Sequence, residues 1–494
     1  MRKILGPPGT GKTTRLLKYV KTFLKLGTPL EKIGYFAFTK KAANEAKNRM
    51  LDSYPDLSYK HLKRFQTLHS LAFERLGMKK SEVMQDDHYE DIGKKLGIEV
   101  TVYSDGQERT GFVDSDSEYF NLINAARIKG ITSEEEYNSD MYSSELDKNL
   151  IPILEDEINN YKDAFQLKDF TDMIHKFNKA ELCPKFDVVF IDEAQDLSPI
   201  QWKMFEELKK NTKHMILAGD DDQAIYAWAG ADVKRFQDEP AKEIVLPQSY
   251  RVPRTIQHIA DNILDRIPDE RRIKKEWEAR DEEGDIYFGT SVEDVPLHKG
   301  KWLVLARYND RLIKLKSSLR DMGIYFEYKG RKSYKTRLYN AIQNYTRWTK
   351  GEKLSITECR DLFEYLGKDF TQTEERMYDL REFGYSHTKR WFDVFETEPD
   401  DSLYIRNMLS QGEELSQPAR VILSTIHSAK GGEAENVLLI LDNTKNIREA
   451  IERSPDKSDE ENRIWYVGVT RTKQNLYILA ARKESNGYDI ESVH

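Results

Sequence analysis

The chain has 494 residues, of which 33% are charged and 39% hydrophobic, and its formal net charge at pH 7 is −8. This length exceeds one typical domain, and the composition is that of a soluble globular protein rather than a disordered or membrane-spanning one. Two widely separated cysteines, Cys183 and Cys359, exclude a zinc or redox motif. Because the net charge is acidic, any nucleic-acid binding would need a local basic groove.

The first motif is GPPGTGKT at residues 6–13, which fits the phosphate-binding loop pattern G-x-x-x-x-G-K-[ST]. Its glycines let the backbone wrap around phosphates, and the start of the following helix favours anions. Residues 2–5 can form the preceding strand, and Gly27 and Pro29 end the helix. The residues expected to bind nucleotide here are Gly6, Pro7, Gly9, Thr10, Gly11, Lys12, Thr13 and Thr14. Thr13 is also expected to bind Mg²⁺.

Three apolar runs, at residues 186–191, 214–218 and 243–246, each end in polar residues. Continuous apolar strands between helices predict a parallel sheet covered on both faces, with functional residues at the strand ends. Asp192 and Glu193 follow the first run, so Asp192 is predicted to hold Mg²⁺ and Glu193 to polarise the attacking water. Two adjacent carboxylates can also form a solvated turn, but the phosphate loop favours the nucleotide site.

The remaining chain alternates between α/β and helical character. We predict an α/β fold with two sheets. The predicted domains are a first domain at 1–80 and 181–248, a helical insertion at 81–180, a second domain at 249–336 and 416–494, and a second insertion at 337–415. A polar loop at residues 452–460 is expected before the last helix.

Eight stretches, taken in order, resemble the UvrD/Rep/PcrA-type DNA helicases of superfamily 1, and the compact phage-encoded members most. They are GPPGTGKT (6–13), AFTKKAANEAKNRM (37–50), TLHSLAF (67–73), VVFIDEAQDLSPIQW (188–202), ILAGDDDQAIYAWAGAD (216–232), VLPQSYRVP (245–253), ILSTIHSAKGGE (422–433) and RIWYVGVTRTK (463–473). The resemblance implies two RecA-like parallel-sheet P-loop motor domains, each with a mostly helical insertion.

The resemblance also implies roles for individual residues. Gln223 matches the γ-phosphate sensor, and Arg251 and Arg471 match arginines that the second motor contributes to the same phosphate. Tyr250 matches the residue that stacks on the nucleotide base, and Glu433 the one that contacts the ribose. The positions that match DNA-contacting residues are Phe38, Thr39, Lys40, His69, Tyr226, Trp228 and His427. The alternative interpretation makes the arginines surface ion pairs, the aromatic residues core residues and the histidines buried ones.

The function implied is an ATP- and Mg²⁺-dependent single-stranded DNA translocase and helicase with 3′→5′ polarity, acting in replication, repair or recombination. Tailed or forked duplex DNA is the expected substrate of a monomeric, cytoplasmic motor (host cytoplasm if phage-encoded). Single-strand binding protein or replisome components are candidate partners. Two alternatives are a nucleotide-dependent DNA clamp and a protein-displacing translocase that unwinds little duplex. A helicase–nuclease is disfavoured because the sequence shows no metal-binding carboxylate cluster outside the predicted ATP site.

The sequence departs from the family pattern at several positions. Ala229 stands where an arginine is common, Gly432 where a hydrophobic residue is usual, and Lys40 where an asparagine is common. The family's adenine-reading glutamine upstream of the phosphate loop is not found in the five residues before Gly6, which leaves nucleotide selectivity open.

Overall fold

The computed structural model describes residues 1–100, 117–139 and 146–490. Strands from residues 2–245 form one sheet and strands from residues 285–479 form another, so the fold is α/β, as predicted. We call the first sheet with its helices the first unit, and the second sheet with its helices the second unit. In the parts described, no helix combines the length and apolar character that crossing a membrane requires.

The first unit begins with alternating strands and helices. These are β1 (Arg2–Leu5), α1 (Lys12–Lys25), β2 (Ile33–Phe36), α2 (Lys40–Ser53), β3 (Phe65–Gln66) and α3 (Leu68–Arg75). Helix α1 ends just before Gly27, as predicted, and the Thr39 side chain caps α2 by accepting a hydrogen bond from the Ala42 amide at 3.1 Å.

Helices alone follow within the described residues up to 179. They are α4 (Asp86–Leu96), α5 (Glu118–Lys129), α6 (Ser133–Tyr137), α7 (Leu150–Ala164) and α8 (Phe170–Lys179). Parts of α4, α5 and α7 pack into a small core of their own, around residues such as Ile92, Phe120 and Leu154. The helical character predicted for this stretch is confirmed where it is described, while the domain boundaries at 81 and 180 stay predictions.

The chain then returns to the first sheet. The elements are β4 (Phe186–Ile191), α9 (Pro199–Lys210), β5 (Thr212–Gly219), α10 (Val233–Asp238) and β6 (Lys242–Val245). The sheet order is β3-β2-β4-β5-β1-β6, and every pairing is parallel. Leu5 pairs with Gly219, and Phe36 with Ile191, so the loops after these strands emerge along one edge of the sheet. That edge carries the predicted site.

The second unit has seven strands. Its elements are α11 (Arg254–Leu264), β7 (Asp285–Gly289), β8 (Trp302–Ala306), α12 (Asn309–Asp321), β9 (Phe326–Tyr328), β10 (Arg331–Lys332), α13 (Thr336–Thr349), α14 (Ile356–Phe363), α15 (Pro399–Ser410), β11 (Val421–Thr425), β12 (Ala434–Ile440), α16 (Lys445–Arg453), α17 (Pro455–Val469) and β13 (Thr472–Leu479). The order is β10-β9-β11-β8-β12-β13-β7, parallel except for the β9–β10 pair. Side chains from 338–415 share one core with β8 and β11.

The polar loop predicted at residues 452–460 is wrong. Helix α16 runs to Arg453 and α17 begins at Pro455, so Ser454 is the only residue between them. The Ser454 hydroxyl accepts a bond from the Lys457 amide at 3.5 Å, and Pro455 suits a first helical position. Ser454, Pro455 and the acidic residues that follow are therefore helix-start signals rather than loop residues.

Candidate nucleotide and nucleic-acid site

The phosphate loop lies between β1 and α1 in a shape that requires its glycines. Gly9 and Gly11 have φ angles of 73° and 80°, in the left-handed region. A Cβ on Gly6 would lie 2.1 Å from Lys12 Cγ, because the lysine folds over the loop and donates to the Gly6 carbonyl at 2.8 Å. The ammonium group of Lys12 therefore sits at the mouth of the loop.

Three other predicted loop residues stabilise this shape or face a neighbouring helix. The Thr10 hydroxyl donates to the Pro7 carbonyl at 2.8 Å, which closes the turn. The Thr14 hydroxyl accepts from the Arg49 guanidinium of α2 at 3.1 Å. Thr10 and Thr14 thus make internal contacts through their side chains, whereas Pro7 contributes its carbonyl.

Asp192, at the end of β4, meets the phosphate loop. Its Oδ2 atom accepts from the Thr13 hydroxyl at 2.8 Å and from the buried Tyr35 hydroxyl at 2.8 Å. Burial and the neighbouring Glu193 raise the pKa of Asp192. Hydroxyl and carboxylate oxygens are ligands that Mg²⁺ prefers, so Thr13 and Asp192 fit the predicted metal position.

Glu193 adopts a left-handed backbone conformation, with φ of 55°. Its carboxylate accepts from the Gln195 amide at 2.6 Å. Burial alone would raise the pKa of Glu193, but the cations of Lys12 and Lys430 outweigh it and bring the pKa to about 2. Glu193 is therefore ionised at neutral pH and can accept a hydrogen bond from water.

Arg471, from the second unit, reaches the first unit. Its Nη2 atom donates to Gln223 Oε1 at 3.0 Å, and its Nε atom is held by the Val467 carbonyl at 2.9 Å. Burial, and next the like charge of Arg251, lower the pKa of Arg471 to about 9. The guanidinium stays charged at neutral pH, and the structure brings together the predicted sensor and one of the two predicted arginines.

The other arginine approaches the phosphate loop itself. A Cβ on Gly9 would lie 2.4 Å from Arg251 Cβ, and the Tyr250 amide donates to the Gly9 carbonyl at 3.0 Å. Arg251 Nε donates to Glu433 Oε2 at 2.6 Å, and Glu433 Oε1 accepts from Lys473 at 3.1 Å. Tyr250 is 74% exposed, which leaves its ring available for stacking.

Lys430 makes an interunit contact that was not predicted. Lys430 forms a salt bridge with buried Asp196 and donates to the Gln223 carbonyl at 2.7 Å. Burial raises the pKa of Asp196 to about 7, even though Lys430 acts in the opposite direction. Lys430 lies within the stretch ILSTIHSAKGGE, but a lysine in a polar run gives no sign that it will be buried against another domain.

Four predicted DNA-contacting residues form one aromatic cluster across the two units: Phe38, Tyr226, Trp228 and His427. The Phe38 and Tyr226 rings stack with centroids 5.4 Å apart, and Trp228 meets His427 edge to face at 5.9 Å. The Tyr226 hydroxyl donates to the His427 carbonyl at 3.0 Å. All four side chains are half-buried. Partial exposure leaves ring surface on which a base could stack.

Helix α5 supports the loop that carries Trp228. Trp228 and Ala229 pack against Ala125 and Ile128, and a Cβ on Gly230 would lie 2.8 Å from Ile128 Cγ2. The small alanine at 229 therefore permits a close helix contact where the family commonly has arginine.

The remaining predicted DNA residues lie nearby. Thr39 caps α2 and Lys40 is exposed at its first position. His69 is buried in α3 against the Phe170 ring at 5.6 Å, and burial lowers its pKa to about 4. His69 is therefore neutral, which agrees with the alternative of a buried histidine as well as with an uncharged DNA contact.

Comparison with known proteins gives one family match. The model described as UvrD/REP helicase N-terminal domain matches residues 2–242. A probable DNA helicase of Mycoplasma pneumoniae is 24% identical over 97% of this chain and 80% of its own length. A putative ATP-dependent DNA helicase of Bacillus subtilis, YjcD, is 27% identical over 53% of this chain and 36% of its own length.

Other relatives match shorter parts. The ATP-dependent DNA helicase PcrA of Staphylococcus epidermidis is 35% identical over 19% of this chain and 14% of its own length. Except for the Mycoplasma protein, the alignments therefore span well under half of these relatives. Among solved structures, the alignment with a PRRSV helicase covers 99% of this chain and 54% of the helicase chain, with 10% identity and a TM-score of 0.36.

Substitutions at Lys12 and Glu193 should separate binding from hydrolysis. Lys12→Ala removes the ammonium at the loop, so we expect both nucleotide binding and turnover to collapse. Glu193→Gln keeps the shape but loses the water-polarising carboxylate, so ATP should bind while turnover falls by roughly 10²–10⁴-fold. Binding of a fluorescent ATP analogue and phosphate release would be measured, with exposed Lys18→Ala as control. Near-normal turnover in Glu193→Gln would refute its role.

Arg471→Ala should lower turnover on the order of 10²-fold or more, as loss of an arginine finger does. The matched control is Arg254→Ala, which removes an exposed arginine of the second unit that pairs with Glu283 at 2.8 Å. Steady-state ATPase assays and a thermal melt would be run on both. If Arg471→Ala is folded and turns over normally, the cleft between the units is not the catalytic site.

Proposed function

We propose that this chain, whose residues 2–242 match the UvrD/REP helicase N-terminal domain model, is an ATP-dependent DNA helicase of the UvrD-like superfamily 1. In this proposal it moves along single-stranded DNA in the 3′→5′ direction and separates tailed or forked duplexes during replication, repair or recombination. The observation that carries the proposal is a single loop, residues 219–230, which contacts the second unit at two places with different chemistry.

At one end of this loop, Gln223 accepts a hydrogen bond from Arg471. At the other end, Tyr226 and Trp228 belong to the aromatic cluster and contact His427. Trp228 lies five positions after Gln223 in the chain, which is at most about 17 Å of extended backbone. If the two units move relative to each other when nucleotide binds, the Tyr226 and Trp228 rings, which would hold DNA bases, therefore move as well.

The hydrolytic roles follow from the contacts. Lys12 and the loop amides bind the β- and γ-phosphates, ionised Glu193 orients the attacking water, and Arg471 stabilises charge that develops on the phosphoryl oxygens. Arg251 would leave Glu433 to reach the same phosphate, since its Cβ and its backbone nitrogen already lie beside Gly9. Mg²⁺, when held by Thr13 and Asp192, would neutralise charge on the phosphates.

The second candidate is a nucleotide-dependent clamp that holds DNA without net movement, or a translocase that displaces proteins. Residues suited to ATP hydrolysis lie on both sides of the cleft, Glu193 in the first unit and Arg471 in the second. Their presence favours an enzyme that turns ATP over rather than a static switch. A translocation assay that detects arrival of the protein at a labelled end of single-stranded DNA distinguishes a motor, which arrives, from a clamp, which does not. Duplex unwinding in parallel separates a motor that displaces proteins from a helicase.

Trp228→Ala should weaken single-strand binding by roughly ten- to a hundredfold at most, since base stacking contributes about 1–3 kcal/mol and about 1.4 kcal/mol is one decade. Unwinding should fall further, while DNA-independent ATPase stays near normal. Trp228→Phe retains a stacking ring and should recover much of the binding. If Trp228→Ala instead lowers the melting temperature together with basal ATPase, Trp228 is a packing residue between α5 and the second unit.

The direction of movement is tested with tailed duplexes. The sequence of residues 222–228, DQAIYAW, resembles the corresponding motif in the 3′→5′ branch of the superfamily. A duplex with a 3′ tail should therefore open, and a matched duplex with a 5′ tail should stay closed. The opposite preference would contradict the assigned branch without contradicting a motor.

A further inference from the structure

A segment of the second unit packs against the first unit beside the loop at residues 219–230. We call residues 271–279 the strap. Its Glu278 amide donates to the Pro247 carbonyl at 2.6 Å, and its Ile273 side chain packs against the core of the first unit. Trp277 packs instead against the core of the second unit. The strap is therefore anchored in both units.

The strap carries a lysine into a cluster of three buried carboxylates, which are Asp220, Asp221 and Asp222. Lys275 Nζ lies 2.9 Å from an oxygen of Asp220 and 2.9 Å from one of Asp222, and it also contacts Asp221. The acidic cluster has the arrangement of a metal site, but the lysine ammonium occupies its centre. The cluster is therefore held by a cation built into the chain.

A second cation from the strap offsets further negative charge in the cluster. Arg272 donates to both oxygens of Asp222, at 3.0 Å and 2.9 Å. Burial alone would lower the pKa of Lys275, but the three carboxylates together raise it well above its ordinary value. Lys275 thus stays charged although its side chain is almost completely buried. A charge buried at this depth needs such partners to be stable.

Asp220 connects this cluster to the nucleotide site. One of its oxygens faces Lys275, and the other accepts from the Gln223 side-chain amide at 2.6 Å. With its NH₂ group committed to Asp220, Gln223 presents its carbonyl oxygen to Arg471, which donates to it at 3.0 Å. This network fixes the orientation of the Gln223 side-chain amide. If the amide were flipped, its NH₂ group would face the Arg471 guanidinium, and two hydrogen-bond donors would oppose each other.

We propose that Lys275 is a positioning residue for ATP hydrolysis, which fixes Asp220 so that Gln223 keeps its carbonyl oxygen towards Arg471. The proposal rests on the proposed function, since it assumes that Gln223 and Arg471 act on the γ-phosphate. Lys275 itself touches neither residue in the described structure; it acts through Asp220.

Asp220→Asn tests the link with an isosteric change. The asparagine oxygen should turn towards Lys275, so its NH₂ group faces Gln223 and forces that amide to flip. We expect kcat for DNA-stimulated ATPase to fall roughly tenfold to a hundredfold, since a misplacement of about 1 Å can cost about 10²-fold. KM and ATP-analogue binding should change less than about threefold, because no phosphate-loop contact is lost.

Asp221→Asn is the matched control. It removes one charge from the same cluster, but Asp221 contacts Lys275, the Ile273 amide at 2.7 Å and Gln237 at 3.0 Å rather than Gln223. Its kcat should stay within about twofold of the parent protein. Equal loss in Asp220→Asn and Asp221→Asn would overturn the proposal, because it would mean that only the charge of the cluster matters.

Lys275 is tested directly by Lys275→Met combined with Asp221→Asn, which removes one positive and one negative charge together. The kcat of the double variant should be lower than that of Asp221→Asn alone. The factor should be about the same as the factor by which Asp220→Asn lowers the kcat of the parent protein. Unchanged kcat in a folded double variant would overturn the proposal, and if that variant fails to fold, Asp220→Asn against Asp221→Asn decides it. A parent protein that hydrolyses no ATP with DNA would instead refute the proposed function.

Discussion

The contact between the two units depends on charges that are buried in opposite pairs. Lys430 meets Asp196, and Lys275 meets the three carboxylates that precede Gln223. Removing one partner of such a pair leaves a charge without water or counter-ion, which is strongly destabilising, whereas the pair itself adds little net stability. These pairs therefore specify how the units dock more than how firmly they hold.

The sequence was most informative where the chemistry is local. The phosphate loop, the carboxylates after β4 and the order of the buried strands could all be predicted, because each depends on neighbouring residues or on a continuous apolar run. The predicted strand at 243–246 differs from β6 by one residue. Thr13 and Asp192 were assigned to one metal position, and their side chains are in contact.

Most of the features that were missed depend on partners far away in the chain. Lys275 lies in the run RRIKKEWEAR, where nothing distinguishes the lysine that becomes buried from exposed Lys274. Strand β7 was not predicted, because it is a partly exposed edge strand whose apolar run covers only three residues, 286–288. The sharp boundary between α16 and α17 was missed because one capping serine separates two helices. Tertiary contacts determine the first two of these features, whereas a local capping signal determines the third.

Gly9 shows that the phosphate loop is not a self-contained module. Its carbonyl accepts from Tyr250, the Pro8 carbonyl accepts from the Ser249 hydroxyl at 2.7 Å, and no side chain could fit between Gly9 and Arg251. Part of the loop's surroundings thus comes from chain that lies 241 residues later. Grafting the loop into another scaffold, or cutting the chain before residue 249, would change the shape of the loop while leaving its motif intact.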